Sequence, residues 1–270
     1  KDNNTTNTGN NNSNNTSDVV ELDINSSEIQ DLTKFVRGFD TNNISAWGVF
    51  GPTPLMDALD INNTNRDKMM LLISRGLEHT RVCDAFDDSS DCASKCLVVD
   101  GTYHCGYVDQ KSMENKFREV FGPDVSYTNG TFGNGECALA TEYDSKTQKY
   151  WAAYVCGGDA DYPEYYNELY RAEQKGDEIY TYWYFYETPY YPIESYEYDY
   201  DSSDYIHYSD YIHYLSIIDA NGVEHEIVID DNEVKEEFNK LKTIMDLKTY
   251  KITYKKQSDG KYYIYSGEWV

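Results

Sequence analysis

The six cysteines, Cys83, Cys92, Cys96, Cys105, Cys137 and Cys156, have the spacing that speaks most directly of chemistry. Thiols can pair as disulfides, hold a soft metal or act as nucleophiles, and the count alone does not choose among them. Residues 96–105 read CLVVDGTYHC, two β-prone runs around Asp100-Gly101. Asp-Gly favours a two-residue type I′ hairpin because both turn positions need positive φ. Folding about that turn pairs Val99 with Thr102, Val98 with Tyr103, Leu97 with His104 and Cys96 with Cys105. Counted outward, the cysteines meet at a non-hydrogen-bonded site, where Cα atoms stand about 4.5 Å apart, within disulfide range. The same test on residues 137–156 sets Cys137 opposite Cys156, Leu139 opposite Tyr154, Thr141 opposite Ala152 and Tyr143 opposite Tyr150, around a turn within Ser145–Gln148. Cys83 and Cys92 then close the acidic loop CDAFDDSSDC. Zinc competes for these residues, since Cys92 and Cys96 with His79 and His104 are ligand types it takes. However, the chain has no Cys-x2-Cys pair, and the hairpin register accounts for four cysteines without a metal. Three local disulfides are therefore expected, which implies an oxidising, extracytoplasmic compartment.

Aromatic and acidic residues are the second resource. Residues 180–186 read YTYWYFY. Period two sets Tyr180, Tyr182, Tyr184 and Tyr186 on one face of a strand, and Thr181, Trp183 and Phe185 on the other. An exposed tyrosine ladder beside carboxylates suits sugar rings or a peptide strand. The competing arrangement is a second packing layer, with a helix or the Tyr-rich 190–200 stretch lying over it. For metal, Asp199-x-Asp201-x-Ser203-Asp204 resembles the opening of a calcium loop but lacks its Gly and closing Glu, and Asp84, Asp87, Asp88 and Asp91 form a second cluster. A solvated acidic surface is the plainer expectation for both, so no cofactor is required and Ca2+ is the ion these groups would take. SDYIHY occurs in tandem at 203–208 and 209–214, giving His207 and His213 equal places as candidate metal ligands. Such a repeat fits a duplicated surface loop or a strand extension. The chain carries no GxSxG, HExxH or phosphate-cradling loop. No catalytic residue is assigned, and a binding role is preferred over an enzyme. A hydrolase with paired carboxylates remains an alternative with no selectable pair, because 48 acids are on offer.

The elements that must position these residues follow from periodicity. VVELDI at 19–24 alternates like a strand. Ser27 and Gln30 suggest a capping box, with Ile29, Leu32 and Val36 on one helical face up to Gly38. Met69, Leu72, Ile73 and Leu77 line a helix near 66–79, and Met113, Phe117, Val120 and Phe121 line one that starts at Asp109 and stops at Gly122-Pro123. Strands are expected near 137–143, 150–156, 179–187, 212–219, 223–230, 249–256 and 261–268. A fourth helix, at about 232–246, presents Val234, Phe238, Leu241 and Met245. This order predicts an α+β fold of antiparallel sheets, disulfide-stapled hairpins and about four packed helices. A soft boundary separates a helix-rich part, 18–123, from a β-rich part, 124–270, and the two can share one core.

Composition bounds the setting. The net charge is -25, and Tyr supplies 28 of the residues that make up the 40% hydrophobic fraction. Residues 157–233 carry 20 acids against only Arg171 and Lys175. A chain this acidic repels phosphates, which removes nucleic acid as a partner. No apolar run approaches the ~18 residues of a membrane span. Residues 1–17, KDNNTTNTGNNNSNNTS, cannot repay the entropy of ordering and read as a disordered polar tether. A tether before a folded part fits an upstream lipid or membrane-helix anchor. The stretches NNTNRDKMMLLISRGL, YVDQKSMENKFREVFG and LKTYKITYKKQSDGKYYIYSGEWV resemble a group of uncharacterised exported or membrane-anchored proteins of low-GC Gram-positive bacteria. That resemblance implies tethering at a bacterial cell surface and the α+β order, with no assigned activity and no functional residue to carry over. A non-catalytic extracellular domain binding a protein or glycan through its acidic, tyrosine-rich face is the expectation, with a calcium-stabilised extracellular module as the alternative.

Overall fold

The computed structural model describes residues 19–38, 65–83, 90–133, 139–153, 164–188, 190–199, 204–229 and 233–270, with the backbone alone for 75, 90, 164–165, 190–199 and 204–213. The expected tether, 1–17, lies outside these residues.

The strands form two antiparallel sheets. The larger is organised around β8 (Glu178–Thr188). One edge of β8 pairs along its length with β7 (Glu164–Lys175), which in turn takes β1 (Val20–Leu22). Its other edge is divided. Residues 178–183 pair with β12 (Tyr250–Lys256), which continues to β13 (Tyr262–Trp269). Near the far end, Glu187 meets Ser216 of β10 (Asp204–Ile218), which also pairs with β11 (Glu224–Ile229) and β9 (Tyr190–Asp199). The pairs Ser216–Glu187 and His213–Tyr190 lie on one continuous register, so β9 prolongs the line of β8. The tandem SDYIHY falls within β10 from Asp204 onward, so of its two expected forms the backbone adopts the strand extension.

The smaller sheet contains β2 (Thr80–Arg81), β3 (Leu97–Val99), β4 (Thr102–Asp109), β5 (Ala140–Asp144) and β6 (Lys149–Ala153). The β3–β4 register pairs Leu97 with His104, Val98 with Tyr103 and Val99 with Thr102. Asp100 and Gly101 both take positive φ, 48° and 82°, as a type I′ turn requires. Cys96 and Cys105 are bonded with Cα atoms 4.5 Å apart, and Cys83 is bonded to Cys92. Between β5 and β6 the expected register holds at Tyr143–Tyr150 but slips beyond it, since a bulge makes Ala140, not Thr141, the partner of Ala152. An extra residue on one strand cannot be foreseen from alternation alone. The third expected bridge, Cys137–Cys156, lies outside the described residues.

Five helices are described: α1 (Ser27–Arg37), α2 (Arg66–Arg75), α3 (Ser90–Ala93), α4 (Gln110–Phe121) and α5 (Val234–Ile244). Only α3, a single turn between Cys83 and Cys96, was not expected. The cap of α1 sits one residue earlier than the capping-box pattern suggests. Ser26 accepts from the Ile29 amide at 3.4 Å, while Gln30 reaches the Ile24 carbonyl at 2.8 Å instead of closing the box. In α4 the buried residues are Met113, Phe117, Val120 and Phe121, the stripe read from the sequence.

One apolar cluster runs through both sheets and three helices. It joins Ile29 and Val36 of α1, Met69 and Ile73 of α2, and Met113 and Phe117 of α4 to Tyr150 of the smaller sheet and Trp183, Tyr250 and Ile264 of the larger. The core therefore crosses the soft boundary at 123/124. The crossing is reinforced by Gln257 in the β12–β13 turn, which donates to the Phe121 carbonyl at 2.6 Å and accepts from the Asp124 amide at 2.9 Å. A second, smaller cluster lies on the opposite face of the larger sheet, where Val234, Phe238 and Leu241 of α5 cover Tyr186, Leu215 and Ile217.

Candidate functional site: a tyrosine face on the larger sheet

Strand β8 divides its side chains as period two dictates. Ile179, Thr181, Trp183 and Phe185 are buried on the side of the main core. The tyrosines point to the other side, but they do not form one continuous exposed ladder. Tyr186 is 5% exposed and stacks on Phe238 of α5 at 3.9 Å between ring centroids. Tyr184 meets the same ring edge-on at 5.7 Å and stacks with Tyr170 at 4.5 Å. Lys242 of α5 fastens the helix over them through Glu168, at 2.6 Å. This half of the ladder is a packing layer, because α5 supplies the apolar partner that a wet sheet face would lack.

Tyr180 and Tyr182 are half-buried, as Tyr184 is, but their described partners are carboxylates and cations of the sheet and not Phe238 of α5. The Tyr180 hydroxyl donates to Glu178, and the Tyr182 hydroxyl donates to Glu173 at 2.6 Å. Arg171 pairs with Glu173 and lies 5.1 Å from the Tyr182 ring centre. Lys251, next along in β12, pairs with Glu268 and stands 5.5 Å from the Tyr180 ring. Lys255 bonds Glu178 at 3.0 Å and sits 3.7 Å from the Tyr265 ring. The result is a patch across β7, β8, β12 and β13 in which tyrosines alternate with paired charges. Each cation gains from a ring face as well as a carboxylate, which holds long side chains to defined positions.

Electrostatics follow from these bonds. Donation from Tyr180 and the nearby Lys255 ammonium hold the Glu178 carboxyl below the usual range, and the same hydrogen bond pushes Tyr180 up to about 12. Burial, then the bond to Glu173, raises Tyr182 as well. Both phenols stay neutral at physiological pH, with oxygens able to accept from a ligand.

Other expected sites fare differently. Asp199 and Asp204 occupy directly opposed backbone positions where β9 and β10 meet, and Asp201 lies outside the described residues, so the calcium-like string falls across a hairpin end. His207 and His213 are six residues apart on one extended strand, which separates their Cα atoms by about 20 Å and prevents them from sharing an ion within one chain. Of the acidic loop, Asp84, Asp87 and Asp88 are outside the described residues, and Asp91 is bonded to Lys95 at 2.6 Å. His225 bonds Asp219 at 3.0 Å at the β10–β11 turn, and burial lowers His79 to about 4.

Arg171, Glu173, Lys251, Lys255 and Tyr265 were not singled out in the sequence. The alternation of Lys251, Thr253 and Lys255 along an expected strand was the available signal. Its meaning depended on β12 lying beside β8, a pairing between segments about 70 residues apart.

No protein-family model matches the chain, and comparison with curated proteins and with solved structures gave no match. No helix among the described residues is long and apolar enough to cross a membrane. The two disulfides are compatible with an extracellular location.

Proposed function

We propose that this chain is a non-catalytic extracellular domain, tethered at a bacterial cell surface, that binds a partner through the open half of the tyrosine face. The observation that carries this reading is the contrast within one strand. Tyr186 is buried and Tyr184 is half-buried, both packed on Phe238 of α5, whereas Tyr180 and Tyr182 are half-buried with their hydroxyls already oriented by carboxylates. Pre-ordered side chains lose little entropy on binding, and Tyr and Arg are the residue types enriched in recognition surfaces.

Of a protein and a glycan, the geometry favours a protein. A sugar ring stacks on a bare aromatic face, yet cations already stand over Tyr180, Tyr182 and Tyr265. A mixed array of tyrosines, Lys–Glu pairs and Arg suits the polar, tyrosine-rich interfaces formed between proteins.

The test is calorimetric titration of the chain with surface proteins and with cell-wall glycans from a bacterial host, comparing wild type with Tyr180→Ala/Tyr182→Ala. The expected result is binding of a protein that weakens at least tenfold in the double variant, while that variant, though less stable, keeps the wild-type circular dichroism spectrum at the titration temperature. Binding unchanged by the double variant, or retention of glycans alone, would reject this reading.

A further inference from the structure

The two disulfides are neighbours in space as well as in sequence. The Sγ atoms of Cys83, Cys92 and Cys96 all lie within 4.8 Å of one another, and Cys105 is bonded to Cys96. Three sulfurs thus form one cluster, and the fourth, Cys105, is joined to it through its bond to Cys96; in sequence the four run Cys-x8-Cys-x3-Cys-x8-Cys. A tetrahedral zinc ion with Zn–S near 2.3 Å needs ligand sulfurs about 3.8 Å apart. The Cys96 sulfur lies within 4.8 Å of both sulfurs of the other bridge, about an ångström from that spacing, and Cys105 would complete the set by side-chain rotation once its bond to Cys96 is broken.

The four positions are also held by bonds that do not involve sulfur. The Val82 amide donates to the Cys105 carbonyl at 2.9 Å, which keeps Cys83 next to β4. The Lys95 amide donates to the Cys92 carbonyl at 2.9 Å, so the turn after α3 brings Cys96 back toward Cys92. Three ladder pairs of the β3–β4 hairpin set Cys96 opposite Cys105. Backbone hydrogen bonds thus link Cys83 to Cys105, Cys105 to Cys96 and Cys96 to Cys92 in addition to the S–S bonds.

We propose that this cluster has two mutually exclusive occupancies: two disulfides in the oxidised chain, and a tetrathiolate site for Zn2+ in the reduced chain. Reduction uses two equivalents of a dithiol. Each breaks one S–S bond, leaves two thiols on the protein and closes to its own cyclic disulfide. Zinc then replaces the thiol protons, which pass to solvent. The site would be available in any reducing compartment the chain passes through and closed by oxidation outside it. None of this depends on the tyrosine face.

The experiment uses the full chain, reduced anaerobically with a dithiol and freed of it by gel filtration, then titrated with Co2+ as a spectroscopic stand-in for Zn2+. One Co2+ per chain is expected, with the intense charge-transfer and ligand-field absorption of a tetrahedral cobalt thiolate, bleached by one equivalent of Zn2+. Cys137→Ser/Cys156→Ser should keep that spectrum, and Cys96→Ser/Cys105→Ser should lose it. The oxidised chain should give none. Zinc–thiolate sites fold together with their metal, so the titration still reports on the site if the reduced apo-chain loosens. Absence of the thiolate spectrum in the reduced wild type would overturn the proposal, as would its persistence in Cys96→Ser/Cys105→Ser or its appearance in the oxidised chain.

Discussion

Replacing Gly267 with Ala probes how tightly the core beneath the tyrosine face is packed. Gly267 lies in β13 opposite Ile252, and its backbone is ordinary extended strand. What the position lacks is room. A Cβ there would sit 2.4 Å from the Tyr250 hydroxyl oxygen, 2.6 Å from Cε1 and 2.8 Å from Cζ, all closer than real Cβ atoms come. The Tyr250 ring cannot slide away easily. It is 1% exposed and is held edge-on between Phe185 at 5.7 Å and Trp269 at 5.2 Å. Overpacking of this kind costs about 1–3 kcal/mol, and three simultaneous close approaches place this site at the upper end. For a chain of this size that is a fall in melting temperature of roughly 4–10 °C. Tyr250→Ala alone should cost about 3–5 kcal/mol through the cavity it leaves. In that background Gly267→Ala should become neutral or favourable by about 0.5–1 kcal/mol, because the clash is gone and Gly weakens strands. Denaturant unfolding of the four proteins measures the coupling, expected at about 2 kcal/mol or more. A Gly267→Ala loss below about 0.5 kcal/mol, or an equal loss in both backgrounds, would refute this account of the packing.

Removing the hairpin staple with Cys96→Ser/Cys105→Ser should cost about 2.5–3 kcal/mol in the chain-entropy picture for so short a loop, read by chemical denaturation of the oxidised proteins. Gln257→Ala should cost about 1–2 kcal/mol, since it strips the Phe121 carbonyl and the Asp124 amide of a partner at once; amide exchange in the last turn of α4 should accelerate with it. His79 has its folded pKa lowered to about 4, so it stabilises the fold fully above its unfolded value near 6.5 and loses that contribution as pH falls from there toward 4; an isosteric His79→Asn variant should show a shallower decline in stability over that window. Tyr180→Phe should flatten both ends of the stability–pH curve. Glu178 is depressed, so its contribution is present above the normal carboxylate range and lost below it; Tyr180 is raised to about 12, so its contribution is present below pH 10 and lost between 10 and 12. Unfolding midpoints measured across pH would show whether the two limbs change together.

Much of the local structure was legible in the sequence because it is set by neighbours along the chain. The β3–β4 hairpin is the clearest instance: Asp100-Gly101 fixes the turn, the turn fixes the register, and the register brings Cys96 to Cys105. The buried stripe of α4 followed in the same way from helical spacing. Strand β7 has no legible alternation, because a bulge between Leu169 and Arg171 breaks it and sets the buried Leu169 and Ala172 three residues apart. In β9, Pro192 cannot donate to a ladder, and the backbone tolerates it in a strand that, among the described residues, pairs only with β10.

For the candidate site, alternation along YTYWYFY told which residues share a side, and it told this correctly for both faces of β8. It could not tell how far a covering element would reach. That was decided when α5, more than 40 residues further on, laid Phe238 over Tyr184 and Tyr186. Nor could it supply the cations, since Lys251 and Lys255 reach the tyrosines only because β12 docks on one half of β8's free edge while β10 takes the other. Local sequence suffices for the turns, the helical stripes, the two-sidedness of β8 and the Cys96–Cys105 bridge, all of which depend on dihedral preferences and short-range periodicity. Tertiary structure alone decided which tyrosines remain open and which charges stand over them, because distant strands gain their pairing energy only after the chain has closed long loops, and no local pattern records which loops will close.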